Sequence, residues 1–237
     1  MRPEAETLER SSIGFEAMKL FFMCGYYSDG ANEAVARTPN YWDAYRFCRA
    51  VRSGQFEEPF NIHTKSDKVR VAKANIGLAR RAYGRFIAKR IAEEGSWSNP
   101  LLVPIPSEDA LINAKEFRSW VMLSEALAPI ELKWALVDAL LWVEPPPPQV
   151  QDAEIGKRDA IAGLMTCDFP VSGQAIVLVD DLVSTGTTLL AARECLRAEG
   201  AVVLGAIACG RVIDDFNTEA FGRQEIWLED MVADAHR

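Results

Sequence analysis

Two adjacent carboxylates, Asp180 and Asp181, end the apolar run Ile176–Val179, and Ser184, Thr185, Gly186, Thr187 and Thr188 follow directly after Leu182 and Val183. An unbroken apolar run rich in β-branched residues reads as a central parallel strand, and open α/β sheets take ligands at the C-terminal ends of their strands. The hydroxyl-rich turn opens into a helix over Thr187–Glu199, closed by Gly200, so free backbone N–H groups and the positive end of the helix dipole face the same place. No Lys or Arg lies between Asp180 and Arg193. A phosphate there would be held by N–H groups and hydroxyls, with Gly186 letting the backbone approach closely. The acids do not suit that anion. They suit sugar hydroxyls or Mg2+, the ion being held directly, through water or through ribose hydroxyls. A sugar phosphate with two free hydroxyls and a magnesium ion satisfies both halves. The plain structural alternative is a strand end followed by an N-cap at Ser184, which leaves two repelling carboxylates unexplained. Neither GxxxxGK[ST] nor GxGxxG occurs, which removes the P-loop and the dinucleotide turn.

Four apolar residues, two acids, two apolar residues and then STGTT resemble, throughout, the motif that binds 5-phosphoribosyl-1-pyrophosphate (PRPP) in type I phosphoribosyltransferases. The resemblance implies an α/β, mainly parallel, doubly wound sheet. It gives Asp180 and Asp181 the ribose 2- and 3-hydroxyls, and Ser184 through Thr188 the 5-phosphate. It also implies transfer of the 5-phosphoribosyl group of PRPP to a nitrogen nucleophile, with release of pyrophosphate and with Mg2+ as cofactor. Ser184 stands where relatives that salvage 6-oxopurines place an aspartate, so the chain looks unlike a hypoxanthine-guanine enzyme. From Asn61 to Arg211 the layout is similar to the competence-protein-F (ComF) group, without that group's N-terminal zinc cysteines. A second departure is Ser107, Glu108 and Asp109, which follow Ile105 and Pro106 where a basic pyrophosphate loop is expected.

Pyrophosphate leaves as a highly charged anion, so cations or N–H groups must stand where that charge develops. On this side the sequence offers the backbone of Ile105, Pro106 and Ser107 and the cations Lys65, Lys68, Lys157 and Arg158. Lys157 and Arg158 follow the proline run Pro145–Pro148, where the family's mobile loop lies, and Arg158 could close over substrate as a catalytic cation. Lys65 and Lys68 precede a helix already studded with Arg70, Lys73, Arg80, Arg81 and Arg85, and read better as part of a solvated basic face than as pyrophosphate ligands. His63 reads as structural, and Arg211 could touch phosphate or base. The acidic residues after Pro106 keep a second reading open, a non-catalytic PRPP-binding sensor or regulatory module. A receiver-like signalling domain is a third, at odds with acids placed so late in the chain.

The elements that must position these groups follow from periodicity. Apolar residues at steps of three and four predict a long amphipathic helix over Val69–Glu94. Leu101–Ile105 predicts a buried or edge strand bounded by prolines, and Phe117–Leu127 a helix. Trp134–Val143 reads as mixed and ends in a strand, Lys157–Cys167 as a short helix, and Val202–Ala208 as another buried strand completing a β-loop-α-β unit. Aromatic residues from Phe15 to Phe47 suggest a helical subdomain over residues 1–60, serving as a hood over the acceptor or as a homodimer contact, ahead of a core over 61–237.

With 237 residues, 49% hydrophobic and 25% charged, the chain has the composition of a globular protein. A net charge of −8 argues against an extended nucleic-acid surface. The five cysteines show no CxxC pair and no zinc spacing, and no apolar run approaches a membrane span. The expected setting is cytoplasmic, with PRPP, pyrophosphate and an unidentified acceptor as partners and no membrane or nucleic acid.

Overall fold

The computed structural model describes residues 17–27, 37–63, 68–130, 132, 135–146, 161, 163–214 and 217–234. A five-stranded sheet is built from β1 (Lys19–Tyr27), β4 (Leu101–Pro104), β7 (Ala175–Val183), β8 (Val202–Ile213) and β9 (Phe221–Trp227). Its order is β4-β7-β8-β1-β9, with every pair parallel except β1 with β9. Two small antiparallel pairs lie beside it, β2 (Phe60–His63) with β3 (Lys68–Val71) and β5 (Leu140–Trp142) with β6 (Met165–Cys167). The helices are α1 (Pro39–Ser53), α2 (Gly77–Glu93), α3 (Arg118–Leu127), α4 (Thr187–Ala198) and α5 (Leu228–Asp234).

Both faces of the sheet are covered, which is why its central strands are apolar throughout rather than alternating. Ile176, Val177, Leu178 and Val179 of β7 are all fully buried. Val177 and Val179 join a cluster with Phe47 of α1, Tyr83 of α2 and Met122 of α3, whereas Ile176 and Leu178 join Leu189 and Leu196 of α4. Each such side chain contributes about 1.5–3 kcal/mol of burial. On the first face α2 and α3 come close enough that a Cβ on Gly84 would lie 2.0 Å from the carbonyl oxygen of Ala126. The α/β, mainly parallel, doubly wound arrangement expected from the sequence is the one observed.

Four local expectations are corrected. Lys19–Tyr27 is a strand between β8 and β9 rather than part of a helical subdomain; of the described residues before 60, only Pro39–Ser53 is helical. Its aromatic run packs on both sheet faces, Phe21 on one and Phe22 on the other, so a mixed spacing that resembled a helix is the signature of a strand covered twice. The first 60 residues therefore supply an inner strand of the main sheet. The helix expected from Val69 starts at Gly77, because Val69 and Val71 lie on β3 opposite Ile62 and Phe60. Met165–Cys167, expected as a helix end, pairs with Leu140–Trp142. The strand expected over Val202–Ala208 runs on to Ile213. Pro147, Pro148, Lys157 and Arg158 lie outside the described residues.

Candidate functional site

The turn from Ser184 to Gly186 joins the end of β7 to the start of α4, as the sequence requires for an anion cradle. Gly186 has φ +80° and caps the helix, and Leu190 N donates to its carbonyl at 3.1 Å. A Cβ at Gly186 would lie 2.6 Å from Leu228 Cδ1, so α5 closes the underside of the turn. Arg193 of α4, almost wholly buried, holds Glu229 of α5 at 2.6 Å, and Glu229 also accepts from Met18 N at 3.0 Å. Thr185 and Thr187 hydroxyls lie 2.9 Å apart, and Ser184 is exposed. Hydroxyls and N–H groups thus converge at the positive end of a three-turn helix.

The two carboxylates are not equivalent. Successive residues of a strand face opposite ways, so Asp180 and Asp181 meet different partners. Asp180 folds back to accept from Asp181 N at 2.7 Å. Burial, and then the neighbouring Asp181 carboxylate, push the Asp180 carboxyl far above its usual range, to about 8. Asp181, 5% exposed, is held by a hydrogen-bonded ion pair with Arg118 and by Arg52 Nε at 3.6 Å. Arg52 arrives on α1, which passes over β1, where Tyr45 stacks on Tyr26. It continues past β8, where Cys48 lies 3.9 Å from Cys209, and ends at β7.

The segment from Ile105 to Asp109 leaves β4 beside this point, since β4 runs parallel to β7 and Ile105 N donates to Val179 O at 2.9 Å. Its polar groups are committed to the start of α3. Ser107 Oγ donates to Asp109 at 2.6 Å and accepts from Ser119 N at 3.1 Å, while Asp109 accepts from Arg118 N at 2.9 Å. Trp142 Nε1 donates to the carbonyls of Pro106 and Ser107 at 3.0 and 3.1 Å. Burial raises the Asp109 carboxyl, but the bonds from Ser107 and Arg118 N outweigh it and the net shift is downward. Asp109 is therefore bonded to the first residue of α3, whose side chain pairs with Asp181, while Glu108 is exposed.

The structure brings Asp180, Asp181, Ser184 through Thr188 and Ile105 through Ser107 to one sheet edge. It places Lys68 on the exposed β3, paired in register with His63, which contacts Asp43 at 2.9 Å. Lys65, Lys157 and Arg158 are outside the described residues. Arg211 is in register with Val183 at the same edge, its guanidinium 6.0 Å from the Phe22 ring. Arg118 and Arg52 were not legible as site residues, since their approach to Asp181 spans 63 residues for the first and packing of α1 for the second. Among the described residues no three His, Cys, Asp or Glu side chains gather as a metal site. Carboxylate oxygens suit Mg2+, which keeps several waters and shares oxygens with a bound phosphate, but these two side chains do not converge, since Asp180 accepts from Asp181 N and Asp181 carries Arg118 and Arg52. No helix among the described residues is long and apolar enough to cross a membrane.

No family model matches the chain. Against curated proteins, 53 residues are 45% identical to part of an orotate phosphoribosyltransferase from Levilactobacillus brevis, spanning 22% of this chain and 23% of that enzyme. The matched segment is phosphoribosyltransferase-like. Solved structures with some likeness include the UMP synthase of Leishmania donovani, 17% identical over 70% of this chain and 31% of that one, with a TM-score of 0.34. The adenine phosphoribosyltransferase of Leishmania tarentolae is 13% identical over 63% of this chain and 79% of its own, with a TM-score of 0.35. The orotate phosphoribosyltransferase of Mycobacterium tuberculosis, in complex with Fe(III) dicitrate, is 15% identical over 73% and 98%, with a TM-score of 0.33. The chain thus spans less than a quarter of the curated relative it matches.

Proposed function

We propose that the chain binds PRPP and transfers its 5-phosphoribosyl group to a nitrogen nucleophile. The observation that carries this reading is the meeting, at the end of β7, of two carboxylates with a hydroxyl- and N–H-lined turn that opens a helix of twelve residues. The turn from Ser184 to Thr188 takes the 5-phosphate, and the carboxylates of Asp180 and Asp181 take the ribose hydroxyls. In the transfer, the bond between ribose C1 and a pyrophosphate oxygen breaks, the C1–N bond forms, and the proton lost by nitrogen passes to solvent or to pyrophosphate. Mg2+, held through the ribose hydroxyls and water that Asp180 and Asp181 would bind, would supply charge neutralisation to the departing pyrophosphate. The chain's own contribution is positioning and electrostatic support, the main sources of catalysis in such a transfer.

A second reading, a PRPP-binding sensor without turnover, is favoured by one observation: Ser107 and Asp109, on the pyrophosphate side, are spent on α3. Incubation with PRPP, Mg2+ and a panel of bases and amines separates the two readings, with pyrophosphate release and ribosylated product followed by mass spectrometry. Release with one acceptor supports the transferase. Binding without release for any acceptor supports the sensor, and absence of both binding and release overturns each.

A further inference from the structure

Asp181 carries two guanidinium groups on one carboxylate. Its side chain is 6% exposed, whereas those of Arg118 and Arg52 are 31% and 44% exposed. The anion is fixed in the sheet and the cations stand between it and solvent. Two guanidiniums thus share one buried carboxylate beside β4, on the side where the residues after Pro106 are acidic. The main chain of Arg118 is pinned, because its N–H donates to Asp109 and Ser119 bonds Ser107. Only the side chain is free to change partner.

We propose that Arg118, assisted by Arg52, is the pyrophosphate-binding cation of the site, and that it is stored on Asp181 until ligand arrives. This inference rests on the PRPP reading above. On binding, the ribose hydroxyls take over the Asp181 carboxylate and the guanidinium turns to the pyrophosphate oxygens. The exchange leaves both the buried carboxylate and the guanidinium hydrogen-bonded, and Arg52 remains beside Asp181, which limits the cost of separating the pair. The planar fork of arginine suits two phosphate oxygens as well as it suits a carboxylate, so the same group serves both states. The exchange also couples the two halves of the ligand, since hydroxyls at Asp181 release the cation that a pyrophosphate needs.

The test uses the full chain and three ligands in Mg2+ buffer, namely PRPP, inorganic pyrophosphate and ribose 5-phosphate, titrated by calorimetry. Arg118→Ala should weaken PRPP and pyrophosphate about 10- to 100-fold, the range for losing a charged hydrogen bond. It should leave ribose 5-phosphate unchanged or tighter, because Asp181 then carries Arg52 alone. Arg118→Lys, which keeps the charge but not the fork, should restore part of the lost affinity. Equal losses for all three ligands, or unchanged affinity for PRPP and pyrophosphate, overturn the proposal. If Arg118→Ala fails to fold, Arg118→Gln and Arg52→Ala decide on the same ligands, with a loss confined to PRPP and pyrophosphate supporting the proposal and a uniform loss or none overturning it. A wild-type chain that binds no PRPP overturns the reading beneath the inference, a result distinct from a uniform loss in the variants.

Discussion

The hydroxyl of Tyr83, carried by α2, donates to the main-chain carbonyl of Asp180 at 2.6 Å and lies 3.3 Å from the carbonyl of Ile207. It bridges the two central strands at the residue where the carboxylates begin. Burial, and then the nearby Cys209 and Asp180, push the Tyr83 phenol well above its usual range, so it remains a donor at any working pH. Tyr83→Phe should lower stability by about 1–2 kcal/mol, the cost of leaving a buried carbonyl short of a partner. Urea denaturation measures it, and an unchanged midpoint would show that the bridge contributes nothing.

The raised Asp180 carboxyl gives a pH dependence with a definite sign. Its folded pKa, about 8, lies above the unfolded value near 4, so the native state holds a proton that the unfolded chain releases between those limits. Stability from this group is full below the unfolded pKa and is lost as pH rises through about 8. Asp180→Asn, which keeps an acceptor for Asp181 N, should match wild type in melting temperature near pH 4 and exceed it at pH 9. A gap that widens toward acid would contradict the assignment.

Gly186→Ala combines a left-handed φ of +80° with a Cβ 2.6 Å from Leu228. The strain should cost about 1–3 kcal/mol and displace α5 from beneath the turn at Ser184–Gly186. Binding of inorganic phosphate or ribose 5-phosphate, read by calorimetry, should fall along with the melting temperature.

Asp109→Ala tests whether the acid after Pro106 is a cap. Removing an acceptor from the first turn of α3 should cost about 1 kcal/mol, discounted because Asp109 is exposed to solvent. If Asp109 instead acted as a repelling charge toward an anionic ligand, its loss would tighten pyrophosphate binding without any loss of stability. Thermal melts and pyrophosphate titrations on the same variant give the answer.

Much of the core, and the stretch of the candidate site at the end of β7, could be read directly from sequence. The run Ile176–Val179, the two acids and STGTT are contiguous, and a strand, turn and helix in that order admit few arrangements. The inner strand Lys19–Tyr27 was obscured because burial on both faces erases the alternation that marks a strand. Arg118 and Arg52 were obscured for a different reason. Their roles depend on a distant cap by Asp109 and on the path of α1, neither of which leaves a local pattern. The meeting of Cys48 with Cys209, 161 residues apart, is likewise a product of packing alone.

The central claim is that the end of β7 is a PRPP site, and a calorimetric titration of PRPP with Mg2+ into wild type and Asp181→Asn tests it most directly. Saturable one-site binding to wild type is expected, weakened about 10-fold or more by the substitution, as for losing a charged hydrogen bond, with an unchanged far-UV spectrum. No heat of binding from wild type, or equal affinity in the two proteins, would contradict it.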